Sequence, residues 1–141
     1  MSNAVAASNR DKFPTLRALT PVLVVESVDS CLAFWTDHLG FALTNHVPAP
    51  DGSLIFAILQ RGDIEIMYQS RASVLEDGTM TTAEVTGHSV ALFITVDSID
   101  DAERAVAAAP IVKARHDTFY GSTEIYVKEP GGNTVGFSQM R

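Results

Sequence analysis

The sequence has few basic residues, only one cysteine and no long apolar run. Ten Lys and Arg residues stand against 17 Asp and Glu residues, which gives a formal net charge of −7. Nucleic acids and anionic membranes bind basic surfaces, so neither is an expected partner. Cys31 cannot form a disulfide within the chain, which favours a cytoplasmic setting. No apolar run approaches the roughly 18 residues that span a bilayer.

Familiar catalytic motifs are also missing from the sequence. It contains no glycine-rich phosphate loop, no CxxC pair, no HExxH and no GxSxG, and no nucleophile–base pair can be assigned. The apolar fraction of 46% and the charged fraction of 19% indicate a folded globular protein. We expect residues 1–13 to be disordered, because Ser2-Asn3-Ala4 resembles the remnant of a purification tag and no signal-peptide core follows it.

One short phrase occurs twice in the chain. Residues 25–29 read VESVD, and residues 96–100, which lie 71 positions later, read VDSID. The same offset aligns residues 54–56 (LIF) with residues 125–127 (IYV), and it places Ile64 and Ile66 on Val135 and Phe137. Agreement at several separated segments predicts an internal duplication.

Each copy of the phrase follows a β-branched strand and opens a helix, and further strands come after it. The second half continues with predicted strands over 116–121, 122–130 and 133–139, with a turn at 130–133. The fold class is therefore α+β, with a first βαβββ module at 14–70, a connection at 71–87 and a second module at 88–141. Two such modules side by side predict a cupped, open-barrel mixed sheet, because the sheet face away from the helices needs a cover.

Three segments in this order carry a resemblance to a known family: LTPVLVVESVDSCLAFWTDHLGF, QRGDIEIMYQS and EPGGNTVGFSQ. Over about residues 18–139 the chain resembles the vicinal oxygen chelate superfamily of glyoxalases, bleomycin resistance proteins and extradiol dioxygenases. It is most similar to the bleomycin-resistance branch. The resemblance implies paired βαβββ modules, a homodimer whose cups use both chains, and a small organic molecule as ligand.

The resemblance also implies where a metal would bind. Metal-dependent members hold a divalent ion with His and Glu side chains from the first and last strand of each module. The 71-residue offset places these positions at Thr20, Glu65, Ala91 and Gly136. Only Glu65 is a good ligand, so we expect no cofactor. His88 is a weak replacement ligand, because it would need a bulge or a one-residue register slip to share a face with Ala91. With His88 as a ligand, a divalent metal stays an open alternative.

Strand alternation predicts which side chains line the cup. The expected lining, with two aromatic residues from the second module, is Thr20, Val22, Glu65, Met67, Ala91, Phe93, Phe119, Tyr120, Gly136 and Ser138. Such a cup is mostly apolar, with one carboxylate. Each residue also has a structural alternative: Glu65 as a solvated or salt-bridged side chain, Met67 and Phe93 as filling of a collapsed cup, and Phe119 and Tyr120 as packing between chains.

Three functional hypotheses follow. The first is a metal-free binder of a small organic ligand, acting in antibiotic sequestration or a similar role. The second is a superfamily enzyme (a lyase, isomerase or dioxygenase) with an atypical metal set or with Glu65 as general base. The third is a structural or partner-binding module with a filled cup.

Overall fold

A computed structural model describes residues 13–141 as eight strands and four helices. Residues 1–12, which contain most of the predicted disordered N-terminus, lie outside the described residues. In chain order the elements are β1 (Val22–Val25), α1 (Asp29–Thr36), β2 (Ala42–Pro48), β3 (Leu54–Arg61), β4 (Ile64–Ser70), α2 (Arg71–Asp77), α3 (Thr82–Val85), β5 (Ala91–Thr95), α4 (Ile99–Ala105), β6 (Ile111–Asp117), β7 (Ser122–Lys128) and β8 (Thr134–Met140).

The strands form two four-stranded mixed sheets with the same topology. The order is β1-β4-β3-β2 in the first sheet and β5-β8-β7-β6 in the second. In each sheet the first strand pairs in parallel with the last, and the other pairs are antiparallel. Each sheet carries its helix between its first and second strands, and the strands of the described residues close no barrel. The predicted pair of βαβββ modules is confirmed.

Alternation along each strand gives each sheet one helix-covered face and one open face. In β4, Ile66 and Tyr68 are buried against α1, where they join Cys31 and Trp35 in the hydrophobic core. Their neighbour Glu65 points the other way and is half-buried. The apolar residues at every second position therefore determine which face of each strand packs against the core.

The two helix-covered faces share one hydrophobic core. Leu23 and Trp35 of the first module lie in the same buried cluster as Ile99 and Phe137 of the second. A sheet that buries one face in this shared core leaves its open face on the outside of the chain. The two open faces therefore do not face each other within one chain, in contrast to the single cup expected from the sequence.

Three elements differ from the sequence prediction. Strand β6 ends at Asp117, so the predicted strand over 116–121 is wrong from Thr118 onward, where Thr118 N donates to Ser122 O at 2.8 Å and Gly121 has a φ of +95°. The helical spacing of Ile99, Ala102, Val106 and Ala109 predicts a helix that Pro110 ends, but helix α4 already ends at Ala105. The connection holds two helices, α2 and α3, and no helix within residues 13–141 is long and apolar enough to cross a membrane.

Candidate ligand-binding site

The structure distributes the predicted lining residues over both open faces. On the first sheet Val22, Glu65 and Met67 share the open face, since Val22 pairs with Met67 across β1 and β4. On the second sheet Ala91 and Phe93 share the open face with Gly136 and Ser138, as the pairing of β5 with β8 requires. These two groups lie on different outer surfaces of the chain.

Glu65 is the polar centre of the first open face. Thr20 Oγ1 donates to its Oε1 at 2.9 Å, and Gln60 Nε2 donates to its Oε2 at 2.7 Å. None of the ion pairs within residues 13–141 includes Glu65. A carboxylate has about four acceptor sites, so two neutral donors leave it able to accept from a ligand.

The strand register corrects one of the four positions obtained from the sequence offset. Val22 pairs with Met67, 45 residues later, whereas Phe93 pairs with Gly136, 43 residues later. The neighbour of Ala91 on β8 is therefore Thr134 instead of Gly136. The offset also misplaced β3, because Phe56 lies on an open face and Val127 on a helix-covered one.

The corrected positions do not fit a transition metal. They are Thr20, Glu65, Ala91 and Thr134, and the hydroxyl of Thr134 already accepts from Lys128 Nζ at 2.9 Å. Among residues 13–141 no three His, Cys, Asp or Glu side chains come together as a metal-binding group. One carboxylate with three weak or inert neighbours is a poor match for any divalent transition ion.

His88, the replacement ligand considered from the sequence, is engaged elsewhere. It is exposed, and its Nδ1 lies 3.1 Å from Asn133 Oδ1, beside the turn between β7 and β8. Asn133 in turn donates through its side-chain amide to Glu129 at 2.9 Å. The hydrogen bonds of His88 therefore connect it to the β7–β8 turn and not to Glu65.

The ring of Tyr126 covers the last strand of the second open face. A Cβ built on Gly136 would lie 2.7 Å from Tyr126 Cδ2 and closer still to Cε2. Only a glycine leaves room for the ring at this point. The absence of a side chain at Gly136 therefore leaves the space that the Tyr126 ring occupies. A longer side chain at this position of β8 would collide with that ring.

Sequence reasoning missed a second carboxylate, Glu124 on β7. It is only 1% exposed and accepts from Tyr120 Oη (2.8 Å), Ser122 Oγ (2.8 Å), Tyr126 Oη (2.9 Å) and Ser138 Oγ (2.9 Å). We call these five residues the Glu124 cluster. Burial would raise the pKa of Glu124, but the four hydroxyl donors outweigh it and lower that pKa. The alternation of Ser122, Glu124 and Tyr126 was the available signal.

The two predicted aromatic residues lie beside this cluster. Phe119 and Tyr120 are in the turn between β6 and β7, with ring centroids 5.1 Å apart at an interplanar angle of 87°. Phe119 is fully exposed and Tyr120 is 53% exposed. His116 stacks on Tyr126 at a centroid distance of 6.4 Å. Aromatic rings thus surround a buried negative charge.

Comparison with known proteins agrees with this architecture. The family model described as "Glyoxalase/Bleomycin resistance protein/Dioxygenase superfamily" matches residues 17–137. The chain belongs to this superfamily. An uncharacterized protein of Mycobacterium tuberculosis is 31% identical to this chain over 125 residues. The matched segment covers 86% of this chain and 74% of that protein.

Solved structures show the same fold at lower identity. A glyoxalase/bleomycin resistance protein/dioxygenase from Nocardioides matches with a TM-score of 0.73 and 17% identity, over 99% of this chain and 93% of that one. The bleomycin-binding protein of Streptomyces verticillus, complexed with copper(II)-bleomycin, matches with a TM-score of 0.62 and 22% identity. This match covers 92% of this chain and 100% of the bleomycin-binding protein. Both likenesses concern the fold alone.

Proposed function

We propose that the chain binds a small organic molecule against its open sheet faces without a metal ion. The observation that carries this proposal is Glu65, a half-buried carboxylate that is held by two neutral donors and sits beside Val22 and Met67. A ligand with an apolar body and a cationic or hydrogen-bond-donating group would satisfy both the apolar surface and the charge.

A second copy of the chain completes the pocket in this proposal. Val22 is 42% exposed on one open face and Phe93 is 57% exposed on the other. Exposed apolar residues on two outer faces favour a homodimer in which the first open face of one copy meets the second open face of its partner. Two facing sheets bury far more of a ligand than one sheet does.

The biological role we propose is sequestration of an antibiotic or a similar compound in the cytoplasm. A protein with this fold is named for binding bleomycin. The acidic character of the chain supports a ligand that is neutral or cationic, since a net charge of −7 disfavours anions.

An enzyme is the second candidate function. Glu65 keeps free acceptor capacity next to an apolar surface, which is what a general base requires. In this alternative Glu65→Gln abolishes turnover of a substrate while its binding persists. Turnover that survives the substitution excludes the base role.

A thermal-shift screen tests the proposed function. The full chain in EDTA-containing buffer is screened against a library of organic cations and neutral compounds that includes bleomycin. Binding to the folded state raises the melting temperature by mass action. The affinity of the strongest ligand is then measured for Glu65→Gln, and we expect a loss of about tenfold or more, because a hydrogen bond to a charged group is removed.

The matched control is Glu76→Gln, which changes the net charge equally at an exposed position of α2. We expect it to leave the affinity unchanged. A ligand that binds wild-type protein and Glu65→Gln equally well would show that Glu65 is no part of the site. A library without any ligand would favour a purely structural module.

A further inference from the structure

The Glu124 cluster holds a negative charge that forms no ion pair with the residues the structure describes. Glu124 is buried, and its hydroxyl donors keep its pKa below the usual value, so the carboxylate is ionised at neutral pH. None of the ion pairs formed by residues 13–141 involves Glu124. Neutral donors stabilise the charge locally, but the field of the ion still reaches the open face.

The cluster presents hydrogen-bond acceptors and aromatic surface to the outside. The hydroxyl hydrogens of Tyr120 and Tyr126 are directed at Glu124, which leaves the phenol oxygens with lone pairs only. Hydrogen bonding to Glu124 raises the pKa of Tyr120, and burial together with Glu124 raises that of Tyr126 to about 12, so both phenols remain neutral. Tyr120 and its neighbour Phe119 are exposed at the rim.

These features select one class of ligand group. An anion is repelled by Glu124, and the cluster shows no outward donor to a neutral acceptor. A metal ion finds no free carboxylate oxygen, because four hydroxyls already use the acceptor sites of Glu124. An organic cation matches this surface, because it can donate hydrogen bonds to the phenol oxygens and make cation–π contacts with the ring faces.

We propose that the Glu124 cluster is a subsite for a cationic organic group, an alkylammonium or a guanidinium. The proposal rests on the proposed function, because the cluster lies on the open face that a ligand would occupy. Glu65 and Glu124 then mark opposite walls of one pocket in the assembled dimer.

Three small probes that differ mainly in charge test this inference. Benzylamine, benzyl alcohol and benzoate are titrated into the ¹⁵N-labelled full chain, and amide shifts are followed by NMR. We expect benzylamine to shift the amides of Tyr126 and Gly136 saturably. Benzyl alcohol should bind there about tenfold more weakly, because only the ring contact remains, and benzoate should not bind at all.

Two variants locate the effect in the cluster. Glu124→Gln should reduce the benzylamine affinity to that of benzyl alcohol. Tyr120→Leu removes a half-exposed ring at the rim of the cluster, and it should also weaken benzylamine binding. Glu76→Gln is the charge-matched control on α2 and should change nothing.

The outcomes separate this inference from the proposed function. Benzylamine shifts confined to the surroundings of Glu65, such as Thr20 and Met67, would uphold the proposed function and overturn the subsite. Equal binding of benzylamine and benzyl alcohol near Tyr126, or no binding of any probe there, would also overturn it. The library screen with Glu65→Gln judges the proposed function independently.

Discussion

Tyr68 occupies a special position among the buried residues, because its hydroxyl joins the two modules. It donates to Glu129 Oε2 at 2.5 Å and accepts from Trp35 Nε1 at 2.8 Å. The bond between Tyr68 and Glu129 is a buried side-chain hydrogen bond between residues 13–70 and 88–141. The second oxygen of Glu129 accepts from both the backbone and the side-chain amide of Asn133, so the buried carboxylate is fully paired.

Removing this hydroxyl should be costly. We expect Tyr68→Phe to lower the free energy of unfolding by about 1–3 kcal/mol, because Glu129 and Trp35 both lose a buried partner. Tyr126→Phe is the matched control, since it also removes a phenol that donates to a glutamate. It should cost less than about 1 kcal/mol, because Glu124 keeps three other donors. Urea denaturation of both variants checks this, and equal losses would contradict the account.

The sequence predicted single residues only where a local pattern existed. Cys31 and Trp35 lie in a helical apolar pattern, and both are fully buried as expected, with burial and Glu129 raising the pKa of Cys31 to about 12. Glu129 could not be predicted as a core residue. It stands between Lys128 and Pro130 at a turn, and its partner Tyr68 is 61 positions away.

At the scale of elements, β7 and β8 depend on each other through Gly136 and Tyr126. We expect Gly136→Ala to destabilise the protein by about 1–3 kcal/mol, because the added Cβ would overlap the Tyr126 ring. In a Tyr126→Ala background the same substitution should cost much less. A double-mutant cycle from chemical denaturation measures this coupling. An equal loss in the free energy of unfolding in both backgrounds would contradict the contact between Gly136 and the Tyr126 ring.

The order of the elements was predictable from the sequence, but the register was not. Repeated phrases and alternating apolar residues identified two βαβββ modules, which the structure has. The two modules connect their last two strands differently, with Gly62 and Asp63 in the first and residues 129–133 in the second. The registers of β1–β4 and β5–β8 differ by two residues, which keeps the side chains of these strands on their faces, so the apolar pattern could not reveal the difference.

At the scale of the whole molecule, both open faces expose apolar side chains, such as Val22 and Phe93. We expect the chain to form a homodimer, and we expect Phe93→Glu to shift it toward the monomer, because a charge would enter the apolar interface. Ile64→Glu is the control, since Ile64 is 49% exposed and shares the helix-covered face of its sheet with Ile66. Light scattering after size-exclusion chromatography measures the mass. A wild-type protein with the mass of one chain at every concentration would exclude the dimer.

The sequence could predict the face on which a side chain lies better than the way in which the two faces come together. Alternation placed Glu65 and Phe93 on open faces, since face depends on local pattern. Whether two faces belong to one pocket depends on how the helices pack, and Trp35 shares its core with Phe137 of the other module. Long-range packing of this kind leaves no local signal.

We propose above that this superfamily member binds its ligand without a metal ion. The most direct test is calorimetric titration of the strongest library ligand into protein that has been dialysed against EDTA, with and without equimolar Zn²⁺. We expect affinities that agree within about twofold, because Glu65 alone cannot recruit the ion. Binding that appears only after the metal is added would contradict the claim.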